Sequence, residues 1–143
     1  MEPLRHPAFD RWLAAVAANE DLLEVYGEVL ALLGALNTYG RELEDDSQEE
    51  SHAVVTSRYD MRALRRTPPS TTAPYAEDPP VIRVLYVWCE TSDDEIPVLL
   101  LGGDKTVLGN RWYPPNVQAA EYLLEDYVRH ITHLSPIRRG RHQ

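Results

Sequence analysis

Apolar residues at helical spacing open the chain: Phe9, Trp12, Leu13, Val16 and Ala17 predict a short amphipathic helix over 8–18. Asn19-Glu20-Asp21 interrupts it. Leu22, Val25, Tyr26, Val29, Leu32, Leu33 and Leu36 then line one face of a second helix, which Gly40 can stop. Two helices joined this closely form a hairpin, and their aromatic residues read as core. Residues 42–52 are too polar and too charged to pack, and they predict a solvated insertion that opens with a short strand near Arg41–Glu44. From 58 to 65 the period changes to two, with Tyr59, Met61 and Ala63 on one face and Asp60, Arg62 and Leu64 on the other. Five prolines within 66–80 exclude a helix or a central strand there.

Val81–Cys89 and Ile96–Leu101 are β-prone, and Thr91-Ser92-Asp93-Asp94 supplies a turn between them, so an antiparallel hairpin is expected in the middle of the sheet. Beyond Gly102-Gly103 a loop leads to Pro114-Pro115 and a helix that turns Val117, Ala120, Leu124, Val128 and Ile131 inward. The element order predicts an α+β fold: an N-terminal helix hairpin, an antiparallel sheet of three to four strands and a C-terminal helix. One domain is expected over 1–134, followed by a flexible basic tail at 135–143.

Charge complicates the picture. The net charge is −9, and residues 1–57 carry all of that excess, with 3 Arg/Lys against 12 Asp/Glu; residues 58–143 balance at 11 and 11. A nucleic-acid-binding protein is usually basic, so the total counts against such a partner, while the asymmetry leaves room for a local basic site. The apolar runs fall well short of the roughly 20 residues that a membrane-spanning helix needs. The opening Met1–His6 has no secretory pattern, and Cys89 is the sole cysteine; both features fit a cytoplasmic protein.

Several familiar sites can be set aside. Gly103-Asp104-Lys105-Thr106 lacks the glycine spacing of a phosphate-binding loop. His130 and His133 are one turn apart, but no third metal ligand is in register, so no metal is expected. What remains is a set of cations: Arg65 closes one strand, Arg83 lies on the next, Lys105 and Arg111 flank the loop after the third, and Tyr113 follows. On a three-stranded antiparallel sheet these positions can converge on one concave face. A plainer account stays open, in which Arg83 pairs with a carboxylate and Trp112-Tyr113 cap the core.

Four segments, Met61-Arg-Ala-Leu-Arg65, Val81-Ile-Arg-Val-Leu-Tyr86, Leu99-Leu-Leu-Gly-Gly-Asp-Lys-Thr106 and Asn110-Arg-Trp-Tyr113, occur in this order. Together they resemble the HigB-like branch of the RelE/ParE toxin superfamily, over about residues 58–128. The acidic stretch after Gly40, the long proline-rich loop and the acidic total charge depart from that family's pattern. The resemblance implies a type II toxin that cleaves messenger RNA at the ribosome without metal or cofactor. Its cognate antitoxin would be a small helix-turn-helix protein. It implies Arg65 and Arg111 on the phosphate, Lys105 as base or charge stabiliser, and Tyr113 orienting the 2′-hydroxyl or stacking on a base. Arg62, Arg83 and Trp112 would bind RNA or hold the others in place. Two other readings are a ParE-like gyrase inhibitor and a non-catalytic interaction module on the same fold.

Overall fold

The apolar run that begins at Val81 becomes the central strand β4 (Ile82–Glu90), apolar at nearly every step because both its faces are covered. In this computed structural model, which describes residues 2–44, 50–65, 81–131 and 133–140, nine elements follow in chain order. They are β1 (Leu4–Arg5), α1 (Pro7–Ala18), α2 (Leu23–Tyr39), β2 (Ser51–Ala53), β3 (Met61–Leu64), β4, β5 (Glu95–Asp104), α3 (Tyr113–Arg129) and β6 (Ser135–Pro136). The sheet order is β1-β5-β4-β3-β2, with β6 also paired to β4. Neighbours are antiparallel except β1 and β5, which run parallel. The expected proline-rich loop at 66–80, and residues 45–49 of the expected insertion, lie outside the described residues.

Both N-terminal helices cover one face of the sheet. Phe9, Leu13 and Val16 of α1 and Val25, Val29, Leu32 and Leu36 of α2 pack against Val84, Tyr86, Trp88 and Leu99. The opposite face takes α3, whose Val117, Ala120 and Leu124 lie over Met61, Ala63, Leu85, Val87 and Val98. The helix limits follow from local chemistry. Pro7 fits the first turn of α1, where His6 Nδ1 accepts the Ala8 N–H at 2.9 Å. Gly40, at φ +53°, ends α2 in a conformation that a side chain would resist.

Three expectations need correction. The sheet is mixed and six-stranded among the described residues, not an antiparallel sheet of three or four strands. The additional strands β1, β2 and β6 are two or three residues long, too short to show an alternation in sequence. The strand expected near Arg41–Glu44 is a 3-10 turn over Gly40–Glu44, and it does pack: Leu43 is 1% exposed. The tail is docked as far as it is described. Ile137 is fully buried, Arg138 bridges to Tyr59, and the Arg139 guanidinium donates to the carbonyls of Val54, Ser57 and Met61 at 2.7–3.1 Å. Its positive charge, which suggested solvent, here satisfies the carbonyls of a turn.

Gly102 and Gly103 lie under two tryptophans, one on each face of β5. A Cβ on Gly102 would enter the Trp12 ring, and one on Gly103 would lie 2.8 Å from Trp112 Cζ2. Gly102→Ala is expected to cost about 1–3 kcal/mol through overpacking. Gly34→Ala meets open space on α2 and should stabilise by roughly 0.5–1 kcal/mol. Urea denaturation of both variants checks the pair; a neutral Gly102→Ala would contradict the close contact.

Candidate functional site

At the end of the sheet where β3 finishes and β5 turns toward α3, side chains from five segments meet. Alternation along β3 and β4 sends Arg65 and Arg83 to the α3 face, beyond Ala63 and Leu85. His52 joins them from β2, since it pairs with Ala63 in register. Tyr113 comes from the first residue of α3, set in place by Trp112, which is buried over Gly103. Trp112 and Tyr113 stack edge-on, with centroids 5.3 Å apart.

The loop between β5 and α3 delivers Lys105. Asp104 turns its carboxylate back to accept the N–H groups of Thr106, at 2.8 Å, and Val81, at 3.2 Å. Gly109, at φ +57°, closes the loop through its N–H to Lys105 O at 2.7 Å. With Asp104 occupied in this way, Lys105 Nζ bonds to Asn110 Oδ1 at 3.0 Å and stands 5.3 Å from the Tyr113 ring centroid. Burial, then Arg83 and Arg65, push its ammonium below the ordinary lysine range.

The centre of the group is Tyr113. Arg83 Nε donates to its hydroxyl at 3.1 Å, and His52 Nε2 lies 3.3 Å from the same oxygen. Arg83 is 8% exposed, and its hydrogen-bond partners are the phenol and the Ile82 carbonyl, both neutral. Among the described residues neither Arg83 nor Lys105 forms an ion pair, so the alternative that pairs Arg83 with a carboxylate is not what these residues show. Burying a cation against neutral groups and other cations is costly without an anion nearby. His52 registers that field: burial, then Arg65, Arg83, Arg62 and Lys105, hold its imidazole down to about 4. Its Nδ1 is buried and has no hydrogen-bond partner among the described residues.

The other expected residues fall elsewhere. Arg62 points to the opposite face, where its Nε meets Glu44 Oε1 at 3.2 Å and Ser51 Oγ at 2.9 Å; it contributes charge to the site only at a distance. Arg111 is exposed on the turn Gly109–Trp112, and among the described residues its guanidinium makes no hydrogen bond or ion pair. His130 and His133 are both exposed beyond α3, and no third donor joins them among the described residues. Sequence reading missed His52, because it assigned 42–52 to solvent; the three-residue strand that carries His52 leaves no periodic signal. Asn110, inside the asparagine-arginine-tryptophan-tyrosine segment, was within reach of that reading.

A cleft of about 310 Å³ opens beside Tyr113, lined also by His52, Val54, Val55, Asn110 and Pro114. A larger groove of about 720 Å³ lies between the end of α2 and the β4–β5 turn. Its charged lining is mostly acidic (Glu90, Asp93, Asp94 and Glu95), and its Arg41 is already bonded to Glu44, Asp60 and Glu95. That groove would repel a phosphate; the smaller cleft meets the cations through Tyr113, which Arg83 Nε and Lys105 Nζ approach. The fold and this cluster define a mixed α+β protein with a group of cations gathered around one tyrosine. Comparison of the chain with protein-family models, curated proteins and solved structures found no match.

Proposed function

We propose that this chain is a ribosome-dependent messenger-RNA endonuclease, the toxin of a type II toxin–antitoxin pair, acting without a metal ion. The observation that carries the reading is the buried Arg83, held on neutral partners beside Lys105 and Tyr113, in a chain whose net charge is −9. A site that keeps Arg83 and Lys105 apart from the carboxylates of the described residues is prepared for an external anion, and a phosphodiester is the anion that the nearby phenol and cations suit. In the proposed reaction the RNA 2′-oxygen attacks its own phosphorus. Arg65 and Arg83 bind the charge that develops on the phosphoryl oxygens, and Arg111 reaches in from the rim. Lys105, weakened as an ammonium, gives up a proton readily to the departing 5′-oxygen. The acidic N-terminal part is the surface for the antitoxin, and the cytoplasm is the compartment.

The test is cleavage of a defined messenger on purified ribosomes, with EDTA-treated and untreated protein compared after free magnesium has been restored for the ribosome. Cutting should be equal in both samples, and it should weaken steeply with salt, because cation–phosphate contacts release counterions. No cutting, together with inhibition of gyrase supercoiling, would replace this reading with the gyrase-directed one. An absence of ribosome association at low salt would favour a non-catalytic module.

A further inference from the structure

We infer that His52 is the proton acceptor of this site, taking the Tyr113 hydroxyl proton as Tyr113 takes one from a substrate 2′-hydroxyl, and that the bound phosphodiester itself is what makes His52 able to accept it. The inference rests on the nuclease reading for its substrate, but its first half concerns side chains already in contact. A guanidinium can only donate, so the Tyr113 oxygen accepts from Arg83 Nε at 3.1 Å. In the imidazole tautomer whose Nε2 carries no hydrogen, its own proton goes to His52 Nε2, 3.3 Å away. In that arrangement the neutral imidazole carries its hydrogen on Nδ1, the buried atom without a partner among the described residues. Protonation at Nε2 therefore adds no new unpaired donor.

The charged groups acting on His52 are Arg65 from the end of β3, Arg83 from β4 and Lys105 from the end of β5 on its own face, and Arg62 from the opposite face, where Glu44 pairs it; Tyr113 of α3 is the titratable neighbour. All four charges are positive, and after burial they are what hold the imidazole neutral, down to about 4. Such a histidine is a poor base in the empty site. A phosphodiester seated beside Arg65, Arg83 and Lys105 brings a negative charge that offsets theirs, and the phosphorane-like transition state brings a second. The substrate's charge thus raises the base strength of His52 by cancelling the cations' share of its depression, while burial goes on opposing it.

The step balances within the site. The 2′-O–H proton passes to the Tyr113 oxygen while the Tyr113 proton passes to His52 Nε2. The 2′-oxygen bonds to phosphorus, the bond from phosphorus to the 5′-oxygen breaks, and Lys105 protonates that oxygen. The products are a 2′,3′-cyclic phosphate and a 5′-hydroxyl, with an imidazolium and a neutral lysine left to exchange protons with water.

The experiment is an NMR titration of the full chain labelled in its histidines, with the His52 signal assigned by its loss in His52→Gln. The probe is an RNA trinucleotide that carries 2′-deoxyribose at the attacking sugar, so that it binds and is not cut. The His52 midpoint should rise by at least one pH unit when the probe is bound, and inorganic phosphate should produce a smaller rise. In the ribosome assay His52→Gln should cut at least 100-fold more slowly, while its affinity for the probe stays within threefold of wild type. A midpoint unmoved by the probe, or a His52→Gln protein that cuts as fast as wild type, overturns the inference. If His52→Gln fails to fold, His52→Asn supplies the assignment and the wild-type titration decides. A midpoint that rises in a chain that cuts no RNA would keep the anion-responsive histidine and sink the nuclease reading instead.

Discussion

Arg65→Ala is expected to slow ribosome-dependent RNA cleavage by roughly 10²–10³-fold, the size of effect seen when one donor to developing charge is removed. The residue closes β3 and acts on both His52 and Lys105, so its charge reaches the acceptor and the donor of the proposed reaction together. Its main-chain N–H is held by the Glu50 carbonyl at 2.8 Å, a bond that the substitution leaves in place. The fold should therefore survive, with circular dichroism and a cooperative melt to show it. Arg111→Ala is the companion. The side chain is exposed, so its loss should barely touch stability, and a comparable drop in cleavage would place it on the phosphate in the bound complex. Both variants cutting at the wild-type rate would remove the proposed site.

The second large effect is one of stability, on the opposite face of the sheet. Glu44→Ala is expected to cost about 3–5 kcal/mol, because it strips a carboxylate from a largely buried network and leaves Arg62 without its counter-charge. Glu44 receives Arg41 and Arg62, both at 3.2 Å, and the Tyr86 hydroxyl at 3.3 Å; Trp88 Nε1 also donates to it. Its side chain is 12% exposed and that of Arg62 16%. Burial, then the Glu44 charge, raise the Tyr86 phenol above its ordinary range, which keeps its hydroxyl a donor to Glu44 even in alkaline solution. Glu44→Gln keeps the shape and one acceptor oxygen, and should cost less. Urea denaturation of the two variants measures both; a loss below about 1 kcal/mol for Glu44→Ala would show that the network is not held as closely as these contacts imply.

Glu44 also shows why part of the chain was misread. A run such as Glu-Leu-Glu followed by more acids looks solvated when only its own residues are weighed. The donors that make Glu44 tolerable inside, Arg62, Tyr86 and Trp88, are far away in sequence and approach only when β3 and β4 pair. The tail was misread for the matching reason: Arg139 looks like a solvated cation until the turn at Val54–Ser57 presents carbonyls to it.

The candidate site divides in the same way. Arg65, Arg83, Lys105 and Tyr113 could be picked out because strand alternation and the glycine-aspartate-lysine turn fix their faces locally. Arg111 could be picked out too, but its outward position on a 3-10 turn could not. His52 could not be found at all, since its role depends on a Tyr113 hydroxyl and on four cations drawn from other strands.

By itself the sequence determined the helices, the central hairpin and the two faces of the strand around 59–64, because those follow from periodicity and from glycine and proline chemistry within a few neighbouring residues. Only the tertiary structure decided the short outer strands, the burial of Glu44 and Arg83, and the placing of His52 against Tyr113. Each of these depends on partners distant in the chain, whose charge and hydrogen bonds change what a polar residue costs to bury.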